Sequence, residues 1–387
     1  MSKLLRRTLL ATALSVGAFA AHAQGAGQLN IICSVQAEWC SMIGTVYART
    51  TGAKINIVQK GSGEALAQLI AEKDNPKTDV WFGGTGDPHL QAAELGLTAE
   101  YKSPSLADLH PWAQQQARQS GYKTVGIYSG PLGFGYNTEL LAKRKLAVPK
   151  TWADLLKPEY KGEIQVANPS SSGTAYTMIA TLVQLMGEDK AFEYLKGLHR
   201  NVGQYARSGT GPIKAVARGE SAVSISFIHD APGEKLNGFP VETVTPSEGT
   251  GAEIGSMSLI KGARNTAAAK KFYEWALTPA AQEMAAATKQ FQLPSNKHAK
   301  IDPHHSLVAQ PRQQHAGGRQ AELQAGVTGQ VGAAHQHGVC RCGFARVLAR
   351  TDQLDLVAAC HQAAFEGLHG QGDAVEAGED VDAGAAG

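Results

Sequence analysis

Residues 165–176 read QVANPSSSGTAY. A short apolar strand ends at Pro169, which has no N–H to donate. Three serines, a glycine and a threonine then lead into Tyr176–Val183, a run of helical length. Ser and Thr are N-cap types. A helix start presents unpaired N–H groups and a partial positive charge, and so favours anions. Ser171, Ser172, Gly173 and Thr174 are therefore candidate anion ligands, with the glycine allowing close approach. The plainer alternative is an ordinary capped helix after a turn.

What raises the functional reading is recurrence. Ser34 follows one strand, Ser62, Gly63 and Glu64 open a second helix, and Gly84, Thr85 and Asp87 open a third. None of these loops fits a P-loop or a dinucleotide fingerprint. Together they suit a phosphate or phosphonate dianion. His229 and Asp230 close another strand, where they can meet sugar hydroxyls, ligate a metal or begin a catalytic set. The alternative is a turn with a surface His and a capping Asp. Glu248 and Glu253 stand in and after a further Gly/Thr-rich loop, TPSEGTG.

Elements must hold these groups. Strands are expected at 29–33, 55–58, 79–82, 165–167, 222–228, 241–244 and 257–260, and helices at 39–49, 64–70, 89–95, 190–198, 212–218, 267–276 and 279–287. Residues 124–136 read as two extended pieces joined at Ser129–Pro131. Strands alternating with helices indicate an α/β fold with a mostly parallel sheet. Ligands of such sheets sit at the carboxyl ends of strands, where these loops lie.

The ends of the chain differ from its body. Residues 1–23 combine Lys3, Arg6 and Arg7 with a short apolar run and Ala21-His22-Ala23, the pattern of a cleaved secretory signal peptide. In an exported chain Cys33 and Cys40 can form a disulfide over a short loop; two buried thiols are the alternative. Residues 301–387 contain no Lys, Asn, Tyr, Trp or Met, but hold seven of the 13 His and three of the five Cys. Their charge is −5, against +4 for residues 24–300. We read this tail as a GC-rich coding region translated out of frame, with a disordered extension as the rival. Its HQHGVCRC run, residues 335–342, has metal-ligand types inside that atypical context.

The whole chain carries a net charge of +2, too weak a basic balance to indicate nucleic acid. G-x-S-x-G, H-E-x-x-H and P-loop motifs are absent, which argues against a hydrolase.

Six segments carry a family resemblance in order: CSVQAEWC, DVWFGGTGDPHLQAAELGL, YSGPLGFGYNTELL, TWADLLKPEYKGEIQVANPSSSGTAYT, FIHDA and PSEGTGAEIGSMSLIKGA. Together they resemble the periplasmic solute-binding proteins of ABC importers, in particular the ferric-iron-binding-like or AfuA-like subgroup, over nearly all of residues 28–300. The resemblance implies a two-lobe, type II fold, a hinge that the chain crosses twice, and a ligand cleft. The implied lobes are residues 28–128 plus 252–300, and residues 129–251. It further implies a periplasmic, usually monomeric protein of a Gram-negative bacterium, without cofactor or catalysis, that serves an inner-membrane ABC permease. Members continue past the LPSN segment with a C-terminal helical part, and this sequence departs from them after about residue 303.

Ferric-binding members generally use adjacent tyrosines, whereas Tyr176 and Tyr205 are isolated here. The AfuA-like branch is associated with sugar phosphates. The sequence thus favours a sugar phosphate or related organic phosphate, with no resident metal. His229, Asp230, Glu248 and Glu253 would read its hydroxyls, and ferric iron is the alternative ligand.

Overall fold

The computed structural model describes residues 27–305. The expected signal peptide, residues 1–23, and the tail beyond residue 305, with its HQHGVCRC run, lie outside the described residues.

Strands and helices alternate from the start: β1 (Gln28–Cys33), α1 (Ala37–Thr51), β2 (Lys54–Gln59), α2 (Ser62–Ala71), β3 (Val80–Thr85) and α3 (Gly86–Glu94). Next come α4 (Pro111–Gln119), β4 (Val125–Asn137), α5 (Thr138–Arg144), β5 (Ile164–Ala167), α6 (Gly173–Met186), α7 (Glu188–His199) and β6 (Val202–Ala206). The chain closes with α8 (Gly211–Ala217), β7 (Val223–Phe227), α9 (Ala231–Leu236), β8 (Val241–Val244), β9 (Ala252–Leu259), α10 (Thr266–Ala276), α11 (Pro279–Ala287) and β10 (Leu293–Pro294).

The sheet order is β2-β1-β3-β9-β4-β7-β5-β6, with β8 and β10 also on β4. β1 pairs in parallel with β2 and β3, and β5 in parallel with β6 and β7. Every described pairing of β4 and β9 is antiparallel. The sheet is therefore mixed rather than mostly parallel. β4 carries the chain from one parallel group to the other and β9 returns it, so these two must run in opposite directions.

β4 is one continuous strand of 13 residues, not two pieces. Residues 125–131 pair with β9, and Leu132 onward pair with β7 and β8. Pro131 stands at the change of partner, where a residue that donates no ladder hydrogen bond is tolerated.

Packing fixes the first parallel group. Trp39, Ile43 and Tyr47 repeat every four residues, lie on one face of α1, and are buried. They join Leu29, Ile31, Val80, Phe82, Phe272 and Tyr273 in one core. Trp39 and Tyr47 meet Phe82 and Phe272 edge-on, at 5.8 and 5.1 Å between ring centres.

Buried polar contacts set the loops above this core. His89 bonds Gly83 O at 3.0 Å and Ser258 Oγ at 2.8 Å, and stacks on Trp81 at 3.6 Å. Burial pulls its imidazole down to about 3, so it is neutral at ordinary pH and acts as a brace. Trp81 Nε1 donates to Ser34 Oγ at 2.9 Å.

Cys33 and Cys40 form a disulfide that closes the β1–α1 loop. Closing so short a loop restricts the unfolded chain by about 2–3 kcal/mol. Reduction should therefore lower the melting temperature, and it should also weaken ligand binding, because Ser34, Val35 and Gln36 lie inside the loop. Scanning calorimetry and titration with and without reductant would check both effects. An unchanged melt would show that the bridge constrains little.

Candidate functional site

A cavity of about 770 Å³ opens where the loops after β1, β3, β5, β6 and β7 meet. Its size suits a small molecule. Several helices begin at its wall. Gln36 before α1, Thr85 before α3, Ser172 before α6 and Thr210 before α8 all line it. None of the four caps its own helix with its side chain. Of their side chains, the Thr85 hydroxyl and the Gln36 Oε1 have no hydrogen-bond partner, and a helix start leaves its first-turn N–H groups without partners inside the helix.

At one end Ser34, Ser62, Thr85 and Gly173 crowd together. Ser62 Oγ accepts from Thr85 N at 3.2 Å. Thr85 is 2% exposed, and its Oγ1 has no hydrogen-bond partner. Such a buried hydroxyl is costly unless something binds it. A Cβ on Gly173 would lie 2.0 Å from that Oγ1, and one on Gly84, at φ 85°, would lie 2.5 Å from Ser62 Oγ. Only glycine fits at either place. Thr174 and Ser172 complete this wall.

The other end carries titratable groups. Tyr128, His229, Asp230 and Glu253 all line the cavity and are buried. His229 Nε2 stands 3.4 Å from Glu253 Oε1 and 3.7 Å from Asp230 Oδ1. Desolvation lowers His229 to about 3, raises Asp230 to about 7 and raises Glu253 well above the carboxylate range. With the imidazole neutral, these are polar contacts and not ion pairs. Burial also raises the Tyr128 phenol, whose Oη accepts from Gly84 N at 3.0 Å and so links the two ends. Gln36 Nε2 donates to Asp230 Oδ1 at 2.8 Å. The Oε1 atoms of Gln36 and Gln292 are buried and unpartnered acceptors.

Residues 75–310 match the family described as bacterial extracellular solute-binding protein. The chain belongs to that family. An uncharacterized protein of Haemophilus influenzae is 47% identical over 278 residues, which is 72% of this chain and 80% of that one. The solved structure of the periplasmic binding protein AfuA from Actinobacillus pleuropneumoniae, with exogenous fructose 6-phosphate bound, is 45% identical. The match covers 72% of this chain and 88% of that one, with a TM-score of 0.70. The Fe(3+)-binding periplasmic protein of Serratia marcescens is 26% identical, over 73% of this chain and 83% of that one. The fold is thus the two-lobe, type II arrangement of periplasmic binding proteins, and the chain is the solute-binding component of an ABC transporter. Members of the family take up small ligands and work with ABC permeases.

In this binding protein the cavity gathers Ser34, Ser62, Glu64, Gly84, Thr85, Ser172, Gly173, Thr174, His229, Asp230 and Glu253. Gly63, Asp87 and Ser171 are not on its wall. Gly63 N donates to Ser171 O at 3.3 Å, so these two bind each other across the cleft mouth. Asp87 stands in the first turn of α3, where desolvation raises its carboxyl. Glu64 accepts from Gly61 N at 3.2 Å and pairs with Arg207 Nε at 2.7 Å. Burial pushes that carboxyl up, but Arg207 and Gly61 outweigh it and hold it below the ordinary value. Glu248, expected to read hydroxyls, is absent from the wall and instead accepts from Trp152 N. His229 and Asp230 are buried, which removes the reading of a surface turn.

The sequence reading missed Gln36, Tyr128, Gln165, Arg207, Thr210 and Lys214 on the wall. A signal was present for Arg207–Thr210: RSGTGP is another hydroxyl- and glycine-rich helix opening. It was hidden because β6, VGQYA, has no buried residue and therefore no apolar run.

Two measurements follow. The folded state keeps a proton on Asp230 that the unfolded chain has lost. Its stability is fully present below about pH 4 and is lost as pH rises through 7. Asp230→Asn should therefore melt like the parent near pH 4 and higher by on the order of 5 °C at pH 8. A difference independent of pH would refute this protonation. Arg207→Ala removes a mostly exposed ion pair, worth at most about 1 kcal/mol. Stopped-flow release of ligand should quicken by up to about fivefold. Unchanged or slower release would show that the Glu64–Arg207 pair does not retain the ligand.

Proposed function

We propose that this binding protein captures a sugar phosphate, or a related organic phosphate, in the periplasm and presents it to an inner-membrane permease. The observation that carries this reading is the buried, unpartnered Thr85 hydroxyl. It lies beside the uncapped start of α6 in a cradle of Ser62, Gly84 and Gly173. Hydroxyls and backbone N–H groups at a helix start are the donors a phosphate needs. The acceptor-rich end, with Gln36, Asp230, Glu253 and Gln292, suits hydroxyl donors on the same ligand. The similar protein AfuA was solved with fructose 6-phosphate bound, a ligand of this class.

Iron is the second reading, supported by the Fe(3+)-binding relative. Phenolate ligation works against the environment here. Tyr128 is pushed further from ionisation by burial, and Tyr205 Oη is bonded to His199 at 2.8 Å. The described residues contain no cluster of three His, Cys, Asp or Glu groups fit for a metal.

The reading includes lobes at residues 28–128 plus 252–300 and 129–251, in keeping with the partner change along β4. It also includes export by the signal peptide at residues 1–23, a tail from residue 301 translated out of frame, a monomer, and no turnover of ligand.

A thermal-shift panel of fructose 6-phosphate, inorganic phosphate, citrate and ferric iron tests the ligand class. At 100 times its Kd a ligand adds about 2.7 kcal/mol. Fructose 6-phosphate should stabilise the fold, and Thr85→Val should weaken its binding about 10- to 100-fold by removing one charge-assisted hydrogen bond. Stabilisation by ferric iron alone, with a tyrosinate colour, would overturn the phosphate reading.

A further inference from the structure

Beside the main cavity lies a second one of about 230 Å³. Its roof is the turn Thr288–Gln290 after α11, and its floor is Gly233 and Glu234 of α9 with Asn237, the residue that follows it. Lys289 Nζ donates to Asn237 Oδ1 and ties the roof to α9. Gln36, Glu38, Thr210, Lys214 and Asp230 line both spaces. The Gln36–Asp230 hydrogen bond therefore stands in the common wall. Gln36 is 9% exposed, and its Oε1 has no partner although its Nε2 is engaged.

The lining decides what this space can hold. Lys214 and Lys289 are offset by Glu38 and Glu234, with Asp230 a third carboxyl on the shared wall, so no surplus positive charge is present for a second phosphate. Ile213 is its one large apolar lining residue, so an apolar group gains little there. The remaining groups include amides and hydroxyls, among them Asn237 and Gln290. Balanced charges with amides and hydroxyls match a neutral polyol, which both donates and accepts. At roughly 30 Å³ per water the space equals about eight waters, enough for one sugar ring.

We infer that the cleft has a second subsite, between the Thr288–Gln290 turn and α9, for a neutral sugar joined to the phosphorylated one. The ligand class then includes disaccharide monophosphates. The inference rests on the phosphate reading above. The Gln36 amide is the group shared by the two rings, and its free Oε1 accepts a hydroxyl.

Calorimetric titration with fructose 6-phosphate and trehalose 6-phosphate tests it on the parent, Asn237→Phe and Thr288→Phe. Both substitutions fill the side space and leave the main cavity wall untouched. The parent should bind both sugars. Each variant should lose at least about tenfold in affinity for trehalose 6-phosphate, the effect of about 1.4 kcal/mol, and keep its affinity for fructose 6-phosphate. Unchanged fructose 6-phosphate binding also reports that the variant is folded. Binding of fructose 6-phosphate without trehalose 6-phosphate would overturn the subsite and leave the phosphate reading intact. So would equal losses for both sugars in both variants. Binding of neither sugar by the parent would overturn both.

Discussion

Helix starts carry partial positive charge, and this fold brings several of them to one small space. α1, α3, α6 and α8 all begin at the cavity wall without a side-chain cap. Bringing like-signed ends together is unfavourable unless an anion or solvent lies between them. Much of the surrounding structure can be understood as holding that arrangement in place. The disulfide fixes the loop before α1, His89 braces Gly83, and Trp81 steadies Ser34. The glycines at 84 and 173 lack the Cβ atoms that would collide with the Ser62 and Thr85 hydroxyls.

The opposite end follows another rule. There the carboxyls are desolvated and the imidazole is neutral, so the groups act through hydrogen bonding and shape more than through charge. A ligand with a charged end and a hydroxylated end meets a matching change of environment along the cavity. On the proposed reading that asymmetry would set orientation, because a reversed ligand would take its anion away from the helix starts and into the desolvated end beside Asp230 and Glu253.

The sequence made much of this legible, and the limits are physical. Helix starts announce themselves through Ser, Gly and Pro, and the α11 start at Pro279 was read to the residue. Apolar strands such as β3 announce themselves through burial. β6 did not, because its exposed side chains are free of that pressure. The Glu64–Arg207 pair joins positions far apart in the chain, which no local pattern encodes. For the same reason Glu248 looked like a cleft residue until Trp152 was seen to hold it. Burial of His229 and Asp230 depends on how β7 is covered, and a strand end reads alike whether it is covered or bare.

β4 crosses from one set of partners to the other without leaving the sheet. The two halves of the molecule are therefore joined there by a hydrogen-bonded ribbon and not by a slack tether. Its residues are already ordered before any ligand arrives, so closing the cleft gives up little additional chain freedom at this crossing. A closing motion at this crossing would therefore bend a stiff, paired strand and not rearrange loose chain.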